Sequence, residues 1–237
     1  MENAIYATIS RQAGLTKELD IVAQNIANMA STGYKAEGMV FSEHLRALDG
    51  QEALSMARGN ARKTDFAQGA LSQTRGTLDF AIEGQGFFLI QSGEQQLLTR
   101  NGAFHTDAEG QVVTADGAQL LDNGGAPIAL PAGAAQISLG ADGVLSADGR
   151  QIARVGIYQP TSSENLTRHQ GSSFTFSGEI EPIEDARTVQ GFLESSNVDP
   201  VAQIARMIEV QRAYEMGQGL MEREDERIRD ALRTLGQ

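Results

Sequence analysis

Apolar residues follow two spacings along this chain, a helical one at each end and an alternating one between them. At the carboxyl end Met207, Tyr214, Met221, Ile228 and Leu235 recur every seven residues, with Ile204 and Leu232 on the companion line. Asp199-Pro200 marks the start of this helix, the carboxylate as N-cap and the proline at the first helical position, where its missing N–H is not needed. No proline interrupts the run, and about 36 helical residues would span about 54 Å, more than the width of a small domain. A seven-residue apolar repeat of that length predicts a coiled coil or an interface, so the helix needs a partner.

The amino-terminal stretch from Asn3 to Ala30 carries the second helical pattern. Leu15, Leu19, Val22, Ile26 and Met29 step by four and three residues in a single stripe, and Ile5 and Ile9 extend it with a slight shift of face. Ser31-Thr32-Gly33 closes it, with Gly33 the expected left-handed cap. Two helices paired only with each other bury one face each, which is little against the conformational entropy of ordering both. Both stripes are therefore read as subunit interfaces, covered by other copies or homologues, with both termini mobile in the isolated chain. The alternative for either stripe is packing against a domain of the same chain.

Polar positions refine the picture. Gln211, Gln218 and Asp225 form the line opposite the apolar one, either facing water or fixing register between helices. Asp225–Arg229 and Glu224–Arg227 are helix-spaced ion pairs within a mixed-charge run from Glu222 to Asp230, read as a solvated face. Asn25 and Asn28 are poor interior helix formers that serve an interface or the end of the helix. After Tyr34 the pattern weakens. Phe41, Leu45 and Leu48 have helical spacing, but Gly38, Gly50 and Gly59 break any long element, which predicts an extended arm with one short helix.

From Phe66 the period becomes two. Leu78, Phe80 and Ile82 alternate, Glu83-Gly84-Gln85-Gly86 turns the chain, and Phe87-Phe88-Leu89-Ile90 follows as a strand apolar on both faces. Turn signals recur at Glu109-Gly110, Asp116-Gly117, Asn123-Gly124, Asp142-Gly143, Asp148-Gly149 and Ser177-Gly178. Between them Gln111–Thr114, Ala135–Leu139, Ala153–Tyr158 and Ser173–Phe176 are strand candidates. Many short strands joined by such turns predict an antiparallel sandwich or barrel. The expected fold class is α+β, with long N- and C-terminal α-helices forming a coiled-coil-like stem and an antiparallel, mainly-β middle domain. Its expected divisions are 1–33 for the amino-terminal helix, 34–65 for the arm, 66–198 for the β-rich domain and 199–237 for the carboxyl-terminal helix.

Composition removes several functions. A net charge of −12 argues against a sequence-independent nucleic-acid surface or an anionic membrane surface. The chain has no cysteine, which excludes disulfides and thiolate metal sites. No basic start with an apolar core resembles a Sec-type signal, and no apolar run is long enough to span a membrane. His44, His105 and His169 lie far apart in sequence, away from paired acids at metal-ligand spacing. Gly84-x-Gly86 lacks the third glycine of a dinucleotide site, and the Asp-Gly turns lack alternating calcium ligands. No catalytic residue, cofactor or metal is expected. A binding module that keeps its helices on its own domain, and a hydrolase on a β scaffold, are the rival classes.

Five blocks carry a resemblance. Ala23-Gln24-Asn25-Ile26-Ala27-Asn28 with Ser31-Thr32-Gly33-Tyr34-Lys35 resembles the amino-terminal signature of flagellar rod, hook and hook-associated axial proteins. Leu78-Asp79-Phe80-Ala81-Ile82-Glu83-Gly84-Gln85-Gly86-Phe87-Phe88 and Leu98-Thr99-Arg100-Asn101-Gly102-Ala103-Phe104 resemble their β domain. Gln190-Gly191-Phe192-Leu193-Glu194-Ser195-Ser196-Asn197-Val198-Asp199 and Gln211-Arg212-Ala213-Tyr214-Glu215 resemble their carboxyl-terminal signature. These blocks stand in family order over nearly the whole chain. The chain departs from the usual pattern at Gln24 and Tyr34, both conservatively. Asn3-Ala4-Ile5-Tyr6 and the single middle domain look most like the proximal-rod type, with the distal-rod type as the close competitor.

The resemblance implies a structural subunit of the bacterial flagellar rod, which polymerises through its terminal helices and transmits torque across the periplasm. It implies export through the flagellar type III apparatus without a cleaved signal, so the missing signal peptide does not imply a cytosolic home. The implied partners are copies of the chain, homologous rod proteins and the export apparatus, with no nucleic acid and no membrane insertion. The implied motif positions are Asn25, Asn28, Gly33, Gly84, Gly86, Phe87 and Asn197.

Overall fold

The elements of the chain sort into two compact units. The computed structural model describes residues 2–48, 51–162 and 165–235, with the backbone alone for 2–7, 41–48, 51–61, 231, 232, 234 and 235. The first unit holds helix α1 (Glu2–Ala27), strands β1 (Glu37–Leu48) and β2 (Gln51–Thr64), and helix α2 (Pro200–Leu235). The second takes Asn28–Lys35 and Phe66–Asn197. Its strands are β3 (Leu71–Gln73), β4 (Phe80–Glu83), β5 (Phe87–Ser92), β6 (Gln95–Thr99), β7 (Phe104–Thr106), β8 (Val112–Thr114), β9 (Gln119–Leu120) and β10 (Ile137–Leu139). They continue with β11 (Val144–Ala147), β12 (Arg150–Arg154), β13 (Ile157–Pro160), β14 (Leu166–Arg168), β15 (Ser173–Phe176), β16 (Ile180–Pro182), β17 (Arg187–Gln190) and β18 (Phe192–Glu194).

In the first unit α2 begins as its residues dictate. Asp199 Oδ1 accepts from the N–H groups of Val201 and Ala202 at 2.9 and 3.1 Å, capping the helix ahead of Pro200. Asn25 meets Gln203, Glu18 meets Arg206 and Gln12 meets Tyr214, so α1 and α2 run antiparallel. The coiled-coil-like stem expected from the heptads is absent. A coiled-coil seam is a narrow apolar line covered by another helix. The buried positions of α1 instead form a wide arc through Gln12, Leu15, Glu18, Ile21, Val22 and Asn25, three of them polar, and α1 packs against β1 and β2 as well as α2. The hairpin supplies within the chain a cover that the stem reading assigned to other helices.

Two further expectations change. Phe41, Leu45 and Leu48 lie on strand β1, which pairs antiparallel with β2 from Glu37↔Thr64 to Leu48↔Gln51, so the arm is a long hairpin without the expected short helix. Phe41 and Leu45 stand four apart, a spacing that returns to one face of a strand as well as of a helix, and β pairing decided between them although the step of three to Leu48 is helical. The amino-terminal helix stops at Ala27, before the expected Ala30; Ser31 N–H bonds back to Asn28 O at 3.1 Å in a turn. Gly33 follows at φ 67°.

All strand pairs in the second unit are antiparallel, and the largest sheet forks at β5. One edge of β5 pairs along its length with β6, while the other is shared by β9, through Ile90↔Leu120, and β13, through Ile157↔Phe88. The two apolar faces of β5 explain this placement. Phe88 and Ile90 enter a core with Phe80, Ile82, Phe104 and Leu120, while Phe87 and Leu89 enter a second with Leu98, Tyr158 and Phe174. Gly110, Gly117, Gly143, Gly149 and Gly178 all take positive φ in the turns that their Asp-Gly, Glu-Gly and Ser-Gly pairs predict. At Asn123-Gly124-Gly125 the left-handed residue is Gly125. The stretch Ala153–Tyr158 divides into the end of β12 and the start of β13.

Candidate functional site

Three of the signature segments meet at one carboxylate in the second unit. Glu194, at the end of β18, is 1 % exposed; Lys35 is fully buried and Arg100 is 4 % exposed. Lys35 Nζ lies 2.5 Å from Glu194 Oε1, Arg100 Nη1 lies 3.0 Å from Oε2, and the Gly69 N–H donates to Oε1 at 3.0 Å. Each carboxylate oxygen thus receives a charged donor, which offsets the cost of taking three charges out of water. Burial lowers the Arg100 pKa from its ordinary value, and the charge and hydrogen bond of Glu194 raise it back in part. The guanidinium stays protonated near neutral pH because its ordinary value is so high.

The backbone around the triad is tied equally closely. Gly33 N–H donates to Glu194 O at 2.7 Å, and Asn197 N–H to Tyr34 O at 3.3 Å. Asn197 Nδ2 and Lys35 Nζ both donate to Ala67 O, at 3.0 and 2.8 Å. Gly33 is required twice over: its φ is left-handed, and a Cβ there would overlap the Arg100 carbonyl. Arg168 donates to Lys35 O and lies 4.3 Å over the Tyr34 ring and 4.9 Å over Phe174. The Gly84-Gln85-Gly86 turn joins the same knot, since Arg100 Nη2 donates to Gly84 O at 2.6 Å and Arg100 stacks over Phe87 at 5.4 Å. A Cβ on Gly86 would come 2.7 Å from Ile157 and 2.8 Å from Ile183.

In the first unit Asn25 acts as a backbone mimic. Its Nδ2 donates to Glu37 O at 2.7 Å and its Oδ1 accepts from Glu37 N–H at 3.0 Å, pairing with the first residue of β1 as a neighbouring strand would. The same Nδ2 reaches Gln203 Oε1 on α2 at 3.2 Å. Arg206 Nη2 lies 2.5 Å from Glu18 Oε1, and this contact raises the Arg206 pKa. Gln12 Nε2 donates to Tyr214 O at 2.8 Å over Gly217, where a side chain would collide with it. These three polar contacts, rather than Gln211, Gln218 and Asp225, span the helix pair; Gln211 binds Glu215 on its own helix. The expected pairs Glu224–Arg227 and Asp225–Arg229 form at 2.8 and 2.6 Å.

The residues read as subunit interface fall into distinct places. Leu15 and Val22 are buried within the chain, with Leu19 and Ile26 half-buried beside them. Ile9 and Met29 are exposed, Met29 lying beyond the end of α1. On α2, Met207, Tyr214 and Met221 are half-buried, and Ile204 and Ile228 are exposed. Ile5 and Leu235 lie on the helices, their side chains outside the described residues. The true companion line of α2 runs through Gln203, Val210 and Gly217: Val210 is 2 % exposed, Ile204 51 %. Ile21, Val210 and the Lys35–Glu194–Arg100 triad were missed by periodicity. The one available signal for the triad is that Lys35, Arg100 and Glu194 are each the single charged residue between Ser31 and Lys35, Leu98 and Phe104, and Gln190 and Val198.

Each charge of the triad is committed to a partner inside the fold, Arg100 Nε alone among its described polar atoms being buried without an acceptor, and the triad positions chain segments. His105 and His169 are on the surface or near it, and the side chain of His44 lies outside the described residues.

The sequence of the chain matches known proteins. A family model described as the flagellar hook protein FlgE/F/G D1 domain matches residues 81–147, and one described as the flagellar basal body rod FlgEFG protein C-terminal matches residues 189–234. The chain is 36% identical to the flagellar basal-body rod protein FlgF of Caulobacter vibrioides over 242 residues, covering 100% of this chain and 99% of that one. It is 34% identical to the FlgF protein of Mesorhizobium japonicum, again over 100% and 99% of the two chains. A flagellar basal-body rod protein FlgG from Bacillus subtilis is 29% identical over 97% and 98%. The three segments that converge on Glu194 come from widely separated parts of a chain that aligns throughout with these relatives, and the chain belongs to the family of FlgF-type flagellar basal-body rod proteins.

Proposed function

We propose that this chain is a structural subunit of the proximal rod of the flagellar basal body, assembling with other rod and hook proteins of its family. The single observation that carries the reading is full-length identity with FlgF-type rod proteins, higher than with the FlgG relative. The geometry supports a mechanical role. Glu194, Lys35 and Arg100 tie the start of the arm, the β region and the approach to α2 with short, buried, charge-assisted contacts, and such a knot has few alternative arrangements. Among the described residues, the exposed apolar positions Ile9, Met29, Ile204 and Ile228 are the interface residues that remain uncovered in the single chain. Catalysis plays no part in this reading.

The finer reading is that the chain leaves the cell body through the flagellar type III apparatus without a cleaved signal, and that the rod it joins crosses the periplasm and transmits torque. The absence of cysteine suits passage as an unfolded chain that must fold again without disulfide chemistry. Deletion of the gene, with complementation by an epitope-tagged copy, tests the function. The expected result is loss of swimming and of complete rods, both restored by the tagged chain, which then appears in purified basal bodies. A deletion strain that swims normally would refute the reading.

A further inference from the structure

The chain has two Asn-Gly pairs, Asn101-Gly102 and Asn123-Gly124, and the fold treats them in opposite ways. In such a pair the glycine nitrogen can reach the preceding side-chain amide, because glycine puts no Cβ in the way. Asn101 is half-buried, and its Oδ1 accepts from the Ala103 N–H at 3.1 Å. Gly102 is wedged against Phe80. A Cβ on it would lie 1.6 Å from Phe80 O, and Gly102 O accepts from the Phe80 N–H at 2.9 Å. This pair has no room to close a ring.

Asn123 and Gly124 are both exposed, at the turn that follows β9. Among the described residues the Asn123 side chain makes no hydrogen bond. The peptide group between the two residues is engaged at both ends. Its oxygen accepts from the Tyr158 hydroxyl at 2.8 Å, and its N–H donates to Asp122 Oδ1 at 2.8 Å. A donor on the carbonyl stabilises the anion left when the nitrogen loses its proton, and the carboxylate stands where that proton departs.

We propose that Asn123 is a self-modification site, which deamidates through a succinimide while Asn101 stays intact. The Gly124 nitrogen gives up its proton and bonds to Asn123 Cγ. The Cγ–Nδ2 bond breaks, and ammonia leaves with a proton. Water then opens the ring at either carbonyl, leaving aspartate or isoaspartate with one added negative charge. Water is the only co-reactant. In isoaspartate the main chain gains a methylene, at a turn whose Asn123 N–H donates to Arg154 O at 2.9 Å. Conversion therefore loosens the tie between the end of β9 and the end of β12. The inference is independent of the rod reading.

The full chain, purified and held in warm neutral buffer, is followed by peptide mass mapping and by enzymatic methylation of isoaspartate. Conversion is expected at Asn123 and not at Asn101 in the folded chain, and at both in urea. Asn123→Gln is expected to abolish the isoaspartate signal of the folded chain. Tyr158→Phe is expected to slow conversion of Asn123 about fivefold, the rate equivalent of one hydrogen bond, with Asn101 still intact. Equal rates at the two asparagines of the folded chain, or an intact Asn123 there when both convert in urea, would overturn the proposal. An unchanged rate in Tyr158→Phe would remove the assistance that the fold supplies and overturn it as well.

Discussion

Glu194 and Lys35, 159 residues apart in sequence, form a buried ion pair of 2.5 Å. Arg100 binds the other carboxylate oxygen, so the second unit holds two buried cations on one anion. Glu194→Gln leaves both cations without a countercharge and is expected to cost about 3–5 kcal/mol in urea unfolding. Replacing all three residues with apolar side chains of similar volume is expected to recover most of that loss. A Glu194→Gln protein of unchanged stability would show that the triad does not hold the unit together.

Gly33 sits between the carbonyl of Arg100 and the strand that ends at Glu194. Gly33→Ala meets a left-handed backbone and an overlap with Arg100 together. The backbone conformation alone costs about 1–2 kcal/mol, and the overlap adds to it. Thermal unfolding of the variant measures the sum.

Asn25 replaces a strand partner for Glu37. Asn25→Ala removes both hydrogen bonds from its side chain to the backbone of buried Glu37, an expected loss of about 2–4 kcal/mol. Hydrogen exchange at Glu37 is expected to rise more than exchange in β5. Asn25→Asp keeps the acceptor but loses the donor, so it should rescue only in part.

Tyr158 gives a dependence on pH. Burial, then the charge of Asp122, raises its phenol above the ordinary value of about 10. The hydroxyl also donates to Asn123 O at 2.8 Å. A raised folded-state pKa means that the native protein holds this proton more tightly than the unfolded chain. The stabilisation is complete below the ordinary tyrosine value and is lost as pH rises through the native one. Asp122→Asn is expected to lower the Tyr158 titration midpoint, read by carbon NMR of labelled tyrosine.

Exposed positions of α2 should affect assembly without affecting folding. Ile204→Asp with Ile208→Asp is expected to change stability by less than about 0.5 kcal/mol, since both side chains already face water. The same variant is expected to abolish rod incorporation and swimming. Normal swimming would remove this face from the interface.

Local chemistry settled what depends on near neighbours. Asp199 and Pro200 start α2 because cap and ring act within one turn, and the Asp-Gly pairs turn the chain because glycine alone reaches positive φ without strain. The unbroken apolar run of β5 could only lie between two covers, and two cores flank it. The signature blocks likewise named the family from residue order alone. Tertiary structure decided which apolar line was covered and by what. Ile204 and Val210 are equally apolar in the pattern, and one lies open while the other is buried, because a heptad can be drawn through either and only the path of α1 chooses. The β1–β2 hairpin took the cover that a stem would have given to other helices. Glu194 found Lys35 and Arg100 across distances at which charge order in the sequence carries no information, since ion pairs form between groups that folding brings together.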